Sequence, residues 1–149
     1  CVSFAVAPVS PADCARYCAA QGVDPKDAAL YSELFDGHIG TVLTAARDDV
    51  RREQVEKALT LAKAAASQDS YAAAVLLSAY EKDKAGAVAL LRDFRAVAAA
   101  GLRQSPRSPL QGDAARKALG AADAAIQRIR AQVNPKIVLS VLAAKFRGF

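Results

Sequence analysis

The sequence predicts an all-α protein: a small unit of three short helices over residues 1–47, then a bundle of about five helices over residues 48–149. Three observations carry this. One start signal occurs three times, as Ser10-Pro11, Asp24-Pro25 and Asn134-Pro135. Each pairs a side-chain oxygen that can accept from orphan backbone amides with a proline at the first helical position, where no hydrogen bond is lost. Apolar residues also recur at steps of three and four, as in Leu119, Ala122, Ile126, Ile129 and Val133, which is one stripe of a helix. Finally, 53% of the chain is hydrophobic, and much of that is alanine. Alanine favours helix while adding little buried area, so helices should pack closely around a thin core.

In chain order, Val2, Phe4 and Val6 alternate with Ser3 and Ala5, a short strand stopped by Pro8. Ser10-Pro11-Ala12-Asp13 opens a helix that carries Cys14, Tyr17 and Cys18 and stops at Gly22. Asp24-Pro25-Lys26-Asp27 opens a second, holding Ala28, Leu30, Tyr31 and Leu34 and ending at Asp36-Gly37. Gly40 opens a third, through Val42, Leu43 and Ala46. From Arg47 the punctuation thins. Asp48 to Ala66 reads as one longer helix with Val50, Val55, Leu59 and Ala62 inward, and with Glu53 and Lys57 paired four apart on its outer face. Ser67 to Ser70 is a turn, and Tyr71 to Tyr80 a helix with Val75, Leu76 and Leu77. Asp83 caps the longest run, Lys84 to Arg103, whose stripe is Val88, Leu91, Phe94, Ala98 and Leu102. Gln104 to Gly112, with two prolines, is a loop.

The last pair of helices, Asp113 to Phe146, organises the rest. After Asn134-Pro135, the residues Ile137, Val138, Leu139, Val141, Leu142, Ala143, Ala144 and Phe146 leave almost no polar face. Such a helix is expected to be wrapped by others at the centre of the bundle. It is too short for a bilayer, which needs roughly 20 apolar residues.

Charge is unevenly placed within the net +5: residues 1–91 hold 9 Lys and Arg against 12 Asp and Glu, residues 92–149 hold 11 against 3. The basic part suits an acidic partner, nucleic acid or protein, or is a solvated Arg-rich surface. Its few aromatics, Phe94, Phe146 and Phe149, do not interleave with the cations as base stacking requires. The chain has no Met and begins at Cys1, which reads as a piece of something longer. The other reading, a lipid-bearing Cys1, fits poorly with the strand-like Val2–Val6, where a polar tether is expected. Cys14 and Cys18 lie one helical turn apart, but zinc needs about two further ligands, and only Cys1 and His38 remain. Buried thiols in a reducing cytosol are expected, in a cytoplasmic protein with no secretion signal and no membrane association.

Catalytic chemistry is sparse. No Gly-rich phosphate loop ending in Lys-Ser or Lys-Thr occurs, so nucleotide hydrolysis is not expected to originate here. A single histidine leaves out most His-based arrangements, and Asp48-Asp49 with Glu53 and Glu56 reads as a solvated helix face. No enzyme activity and no cofactor are expected.

Several stretches nonetheless resemble a known family. Cys1-Val2-Ser3-Phe4-Ala5-Val6-Ala7-Pro8 followed by Val9-Ser10-Pro11, and Tyr17-Cys18-Ala19-Ala20-Gln21-Gly22, are two of them. Others are Phe35-Asp36-Gly37-His38-Ile39-Gly40, Leu90-Leu91-Arg92-Asp93-Phe94 and Asn134-Pro135-Lys136-Ile137-Val138-Leu139. Their order is similar to the carboxyl-terminal two-thirds of bacterial DNA polymerase III clamp-loader subunits, most like the delta-prime type. The resemblance implies a three-helix lid, the end of an AAA+ module, over residues 1–47 and a collar or oligomerisation domain over 48–149. Its role would be to hold the loader ring together for sliding-clamp loading in DNA replication, meeting DNA only indirectly through the complex. In ATP-responsive relatives the Gly-x-x-Gly turn leads into an arginine that touches nucleotide; here Thr41 and Val42 follow Gly40, which favours the non-hydrolysing subunit over gamma/tau. Arg92 and Arg95, off the apolar stripe of their helix, and Arg128 and Arg130 are then expected to face neighbouring subunits. A local acid such as Asp93 or Asp83 is an alternative partner for Arg92. The contrasting reading is a free-standing basic helical domain that binds nucleic acid through residues 92–149.

Overall fold

A computed structural model describes residues 9–149. The described chain is all-helical and contains no strand. The strand expected at Val2–Val6, and Cys1, lie outside the described residues. The chain divides into two compact units, one up to Arg52 and one from Glu53 to Phe149.

The first unit holds α1 (Pro11–Ala20), α2 (Pro25–Leu34) and α3 (Ile39–Arg47), each packed on the other two. Both proline starts form as expected. The Ser10 hydroxyl accepts from the Asp13 amide at 3.1 Å, and the Asp24 carboxylate accepts from the Lys26 amide at 2.8 Å. Cys14, Cys18, Ala28, Tyr31, Leu34, Val42 and Ala45 form the core. Gly37 has a left-handed backbone, and any side chain there would run into the Val9 carbonyl, so this turn requires glycine. Arg47 at the end of α3 donates to the Gln21 carbonyl at 2.9 Å and so closes α3 onto the end of α1.

The division falls within α4 (Asp49–Ala66), whose residues from Glu53 on belong to the second unit and are followed there by α5 (Ser70–Ser78) and α6 (Lys84–Leu102). Then come α7 (Gly112–Arg130), α8 (Pro135–Lys145) and a closing turn, Phe146–Gly148. Asp69, Asp83 and Asn134 cap α5, α6 and α8 through their side-chain oxygens. Helices α6 and α7 pack antiparallel, since Lys84 reaches Gln132 at 2.7 Å at one end and Arg95 reaches Asp123 at 2.7 Å further along. Helices α5 and α8 are antiparallel too: Lys136 meets Glu81 at 3.7 Å, and Arg147 donates to the Ser70 hydroxyl at 3.0 Å.

The centre of this unit is α6, which buries Leu90, Leu91, Asp93, Phe94, Val97 and Ala98. Phe94 stacks on Phe146 with ring centroids 5.8 Å apart. The loop after α6 lies tightly along it: the buried Ser108 hydroxyl donates to the Val97 carbonyl at 2.8 Å, and a side chain at Gly101 would meet the Leu110 carbonyl.

The expected place of α8 at the bundle centre is overturned. It packs on α5 and α7 through Val138, Leu139, Leu142 and Ala143, but Ile137, Val141 and Ala144 on its other side are exposed. An apolar face on every side means burial only if a helix lies against every side, and α8 has neighbours on two. Other expected inward positions shift for the same reason. Val50 and Val75 are exposed and Leu59 is only partly covered, while Ala58, Leu61 and Ala65 take the inner stripe of α4. Leu102 and Val133, at the ends of their stripes, are also exposed.

Candidate interaction surface

The surface that stands out is the outer side of the α5–α8 pair. On α5, Tyr71 is 79% and Val75 55% exposed; on α8, Ile137 is 60% and Val141 40% exposed. With Ser78 and Ala144 they form two stripes at steps of four and three, the spacing that keeps residues on one helical face. Between the stripes lie two adjoining recesses of about 310 and 440 Å³ that share Ala74 and Ser140 in their lining. Tyr71, Val75 and Ser78 line them from α5 and Ser140, Ala143 and Ala144 from α8, whereas Ile137 lines neither and Val141 lies over the groove between α8 and α7. Helix α5 carries no Asp, Glu, Lys or Arg. Sequence reasoning missed this surface although its signal was present: the all-round apolar character of α8 is what remains visible when one side is uncovered.

The four arginines expected at an interface are all exposed, but they do not form one cluster. Arg92 and Arg95 lie one turn apart on α6, and Arg95 is held by Asp123 of α7. Arg128 lines a shallow groove between α7 and α8 with Val141 and Lys145. Arg130 is two residues further, about 200° around the helix from Arg128. The local-acid alternative names Asp93 or Asp83 for Arg92; among the described residues no ion pair joins Arg92 to either, and it is Arg95 that meets an acid, Asp123.

Electrostatics in the second unit is one-sided. From Glu53 onward there are 15 Lys and Arg against 8 Asp and Glu. Most of the carboxylates are already committed: Glu53, Glu81, Asp113 and Asp123 are in ion pairs, Asp69 and Asp83 are helix caps, and Asp93 is buried. Hydrogen bonds from Arg116 and Lys117 hold the Asp113 carboxyl below the usual carboxylate range, so the charge of that corner is internally offset. No ion pair or hydrogen bond among the described residues engages the side chains of Arg128 and Lys145.

In the first unit, Cys14 and Cys18 are free and fully buried. Burial, with Cys14 one turn away, pushes the Cys18 thiol up, which makes it a poor nucleophile. Among the described residues no group of three or more His, Cys, Asp and Glu is placed to hold a metal ion, and no helix is long and apolar enough to cross a membrane. Compared with known proteins, the chain matches no family model, no curated protein and no solved structure.

Proposed function

We propose that the chain is a helical assembly module, and specifically the lid and collar part of a clamp-loader subunit of the delta-prime kind. The observation that carries the assembly reading is the apolar face of α5 and α8, left without a covering helix. A contiguous apolar surface of this kind on a folded domain marks a place where another protein sits. The clamp-loader identity rests on the sequence resemblances, and the succession of three short helices and then five further helices is compatible with it. On this reading the module has no chemistry of its own, binds no ATP, works in the cytoplasm, and meets DNA only through the assembled loader.

The test is reconstitution of the protein with the gamma/tau and delta subunits of a bacterial loader, read by size-exclusion chromatography. Co-elution in a defined complex is expected, together with no heat of ATP binding to this chain alone in calorimetry. Failure to enter the complex, or micromolar ATP binding, overturns it.

The excess of cations in the second unit favours a second reading, direct nucleic-acid binding. It is separated by salt: a protein neutralising Z phosphates loses affinity with a log–log slope of about −0.9Z. Tight, steeply salt-dependent DNA binding by this chain alone supports that reading instead.

A further inference from the structure

We propose that the groove between α7 and α8 docks a short helix of another protein that is acidic towards both ends and apolar between. This goes beyond the reading above, for the groove lies on the other flank of α8 from the recesses shared with α5. It runs along two antiparallel helices: Lys117, near the start of α7, donates to the Gly148 carbonyl at 2.8 Å, and Arg128, near its end, lines the groove with Val138. At the Gly148 end it opens into a recess of about 390 Å³, which shares Ala121 and Lys145 with the shallower stretch beyond. Arg116 and Arg128, at the two ends, lie about 18 Å apart along α7 at 1.5 Å per residue.

The groove's own lining selects the occupant. It carries Arg116, Lys117, Lys145 and Arg128 and no carboxylate. Asp113, beside it, is shared by Arg116 and Lys117 and so answers one of their two charges. Lys145 and Arg128 have no ion pair or hydrogen bond among the described residues. Between these cations the lining is wholly apolar, with the half-exposed Val141 beside Ala121, Ala124 and the buried Leu142. Carboxylates are therefore matched at both ends and an apolar side chain between them, and a basic segment is repelled. Nucleic acid fits this order poorly, because an evenly charged phosphodiester backbone would set phosphates over Val141 with no cation to meet them. A third helix laid along two antiparallel ones is an ordinary way of covering such a face, and the small residues Gly120, Ala121 and Ala124 leave its backbone room.

The experiment uses the full chain and three fluorescent 16-residue helical peptides. The first has two central leucines four residues apart and glutamates towards both ends of the same face; the second has lysines for the glutamates, the third glutamines for the leucines. Anisotropy is expected to show the first binding about tenfold or more tighter than the second, a gap that narrows as salt rises, and about threefold or more tighter than the third. Arg128→Glu/Lys145→Glu, and independently the milder Arg128→Gln/Lys145→Gln, should weaken the first peptide about fivefold or more. Lys82→Glu/Arg107→Glu, an equal change of charge elsewhere on the second unit, should leave it within about twofold, and circular dichroism melts of all variants should stay within a few degrees. The proposal is overturned if the first peptide does not bind, if lysines serve as well as glutamates, or if removing the leucines changes nothing. It is also overturned if the Lys82 and Arg107 pair weakens binding as much as the groove pairs do. Tighter binding of a 16-nucleotide oligothymidine than of the first peptide, lost in the groove pairs, overturns it in favour of nucleic acid. Self-association in sedimentation that the groove pairs abolish overturns it in favour of a second copy of the chain.

Discussion

Helices α6 and α8 are made of much the same material and end up in opposite situations. Both are rich in aliphatic residues and alanine, and both begin at a side-chain cap, Asp83 and Asn134. Helix α6 is surrounded, to the point of burying a carboxylate, Asp93, and a glycine, Gly101, that lies under the returning loop. Helix α8 is covered on two sides and open on the third. Apolar content reports how much surface a helix can bury; the number of neighbours decides how much it does bury. Where the two disagree, the remainder is available to a partner.

The sharpest way to break this comparison is to cut into the shared core. Phe94→Ala should cost about 3–5 kcal/mol and Leu139→Ala about 2–5 kcal/mol, because both side chains are fully buried and the thin, alanine-rich surroundings have little with which to refill a cavity. Urea melts check this. A loss below about 1 kcal/mol at Leu139 would mean that α8 is loosely attached on its inner side as well.

The extent to which the fold was legible follows from where the signals lie. Starts were read correctly at Ser10, Asp24, Asp83 and Asn134, since an N-cap is a local device written in one or two residues. Stops were harder. Only α1 ends on a glycine in this place, Gly22, whereas α2 ends on Asp36 just ahead of Gly37 and α4, α6 and α7 end on Gln68, Gln104 and Gln132, all with a left-handed backbone. The following amides then close back on the carbonyls of Ala64, Ala100 and Arg128. This is a glycine's task, and glutamine meets it at two of the sites because its side chain is used: Gln68 donates to the Phe149 carbonyl and Gln132 accepts from Lys84. Such long-range reasons are not written next to the residue. The candidate surface was half legible in the same sense, for the apolar residues of α8 were plain and their uncovered side depended on which helices returned to meet them.

A medium-sized effect of opposite sign sharpens the comparison at the end of α6. Among the described residues no hydrogen bond of the Gln104 side chain offsets its left-handed backbone, with φ at 60°. Gln104→Gly should therefore stabilise the protein by a few tenths to about 1 kcal/mol, the relief of a side chain in that region outweighing the freedom glycine adds to the unfolded chain. Gln132→Gly, which also gives up the Lys84 contact, should gain less or nothing. Equal gains in paired thermal melts would show that the side-chain contact contributes nothing to that turn.

The smallest expected effect is the most informative about α8. Ile137 is 60% and Val141 40% exposed, so Ile137→Ser should leave stability within about ±0.5 kcal/mol and Val141→Ser should cost about 1 kcal/mol or less. Leu139 lies on the same helix, two residues from either position, and its truncation should be several times more costly; sequence distance is therefore irrelevant and only the face matters. If Val141→Ser costs 2 kcal/mol or more, that face is covered by the protein itself and is not open to a partner. If it costs nothing, the apolar residues at 137 and 141 have no part in holding the fold, and a serine should be as acceptable there as what is found. That the chain places isoleucine and valine where folding does not require them is then the strongest argument that something outside this chain does.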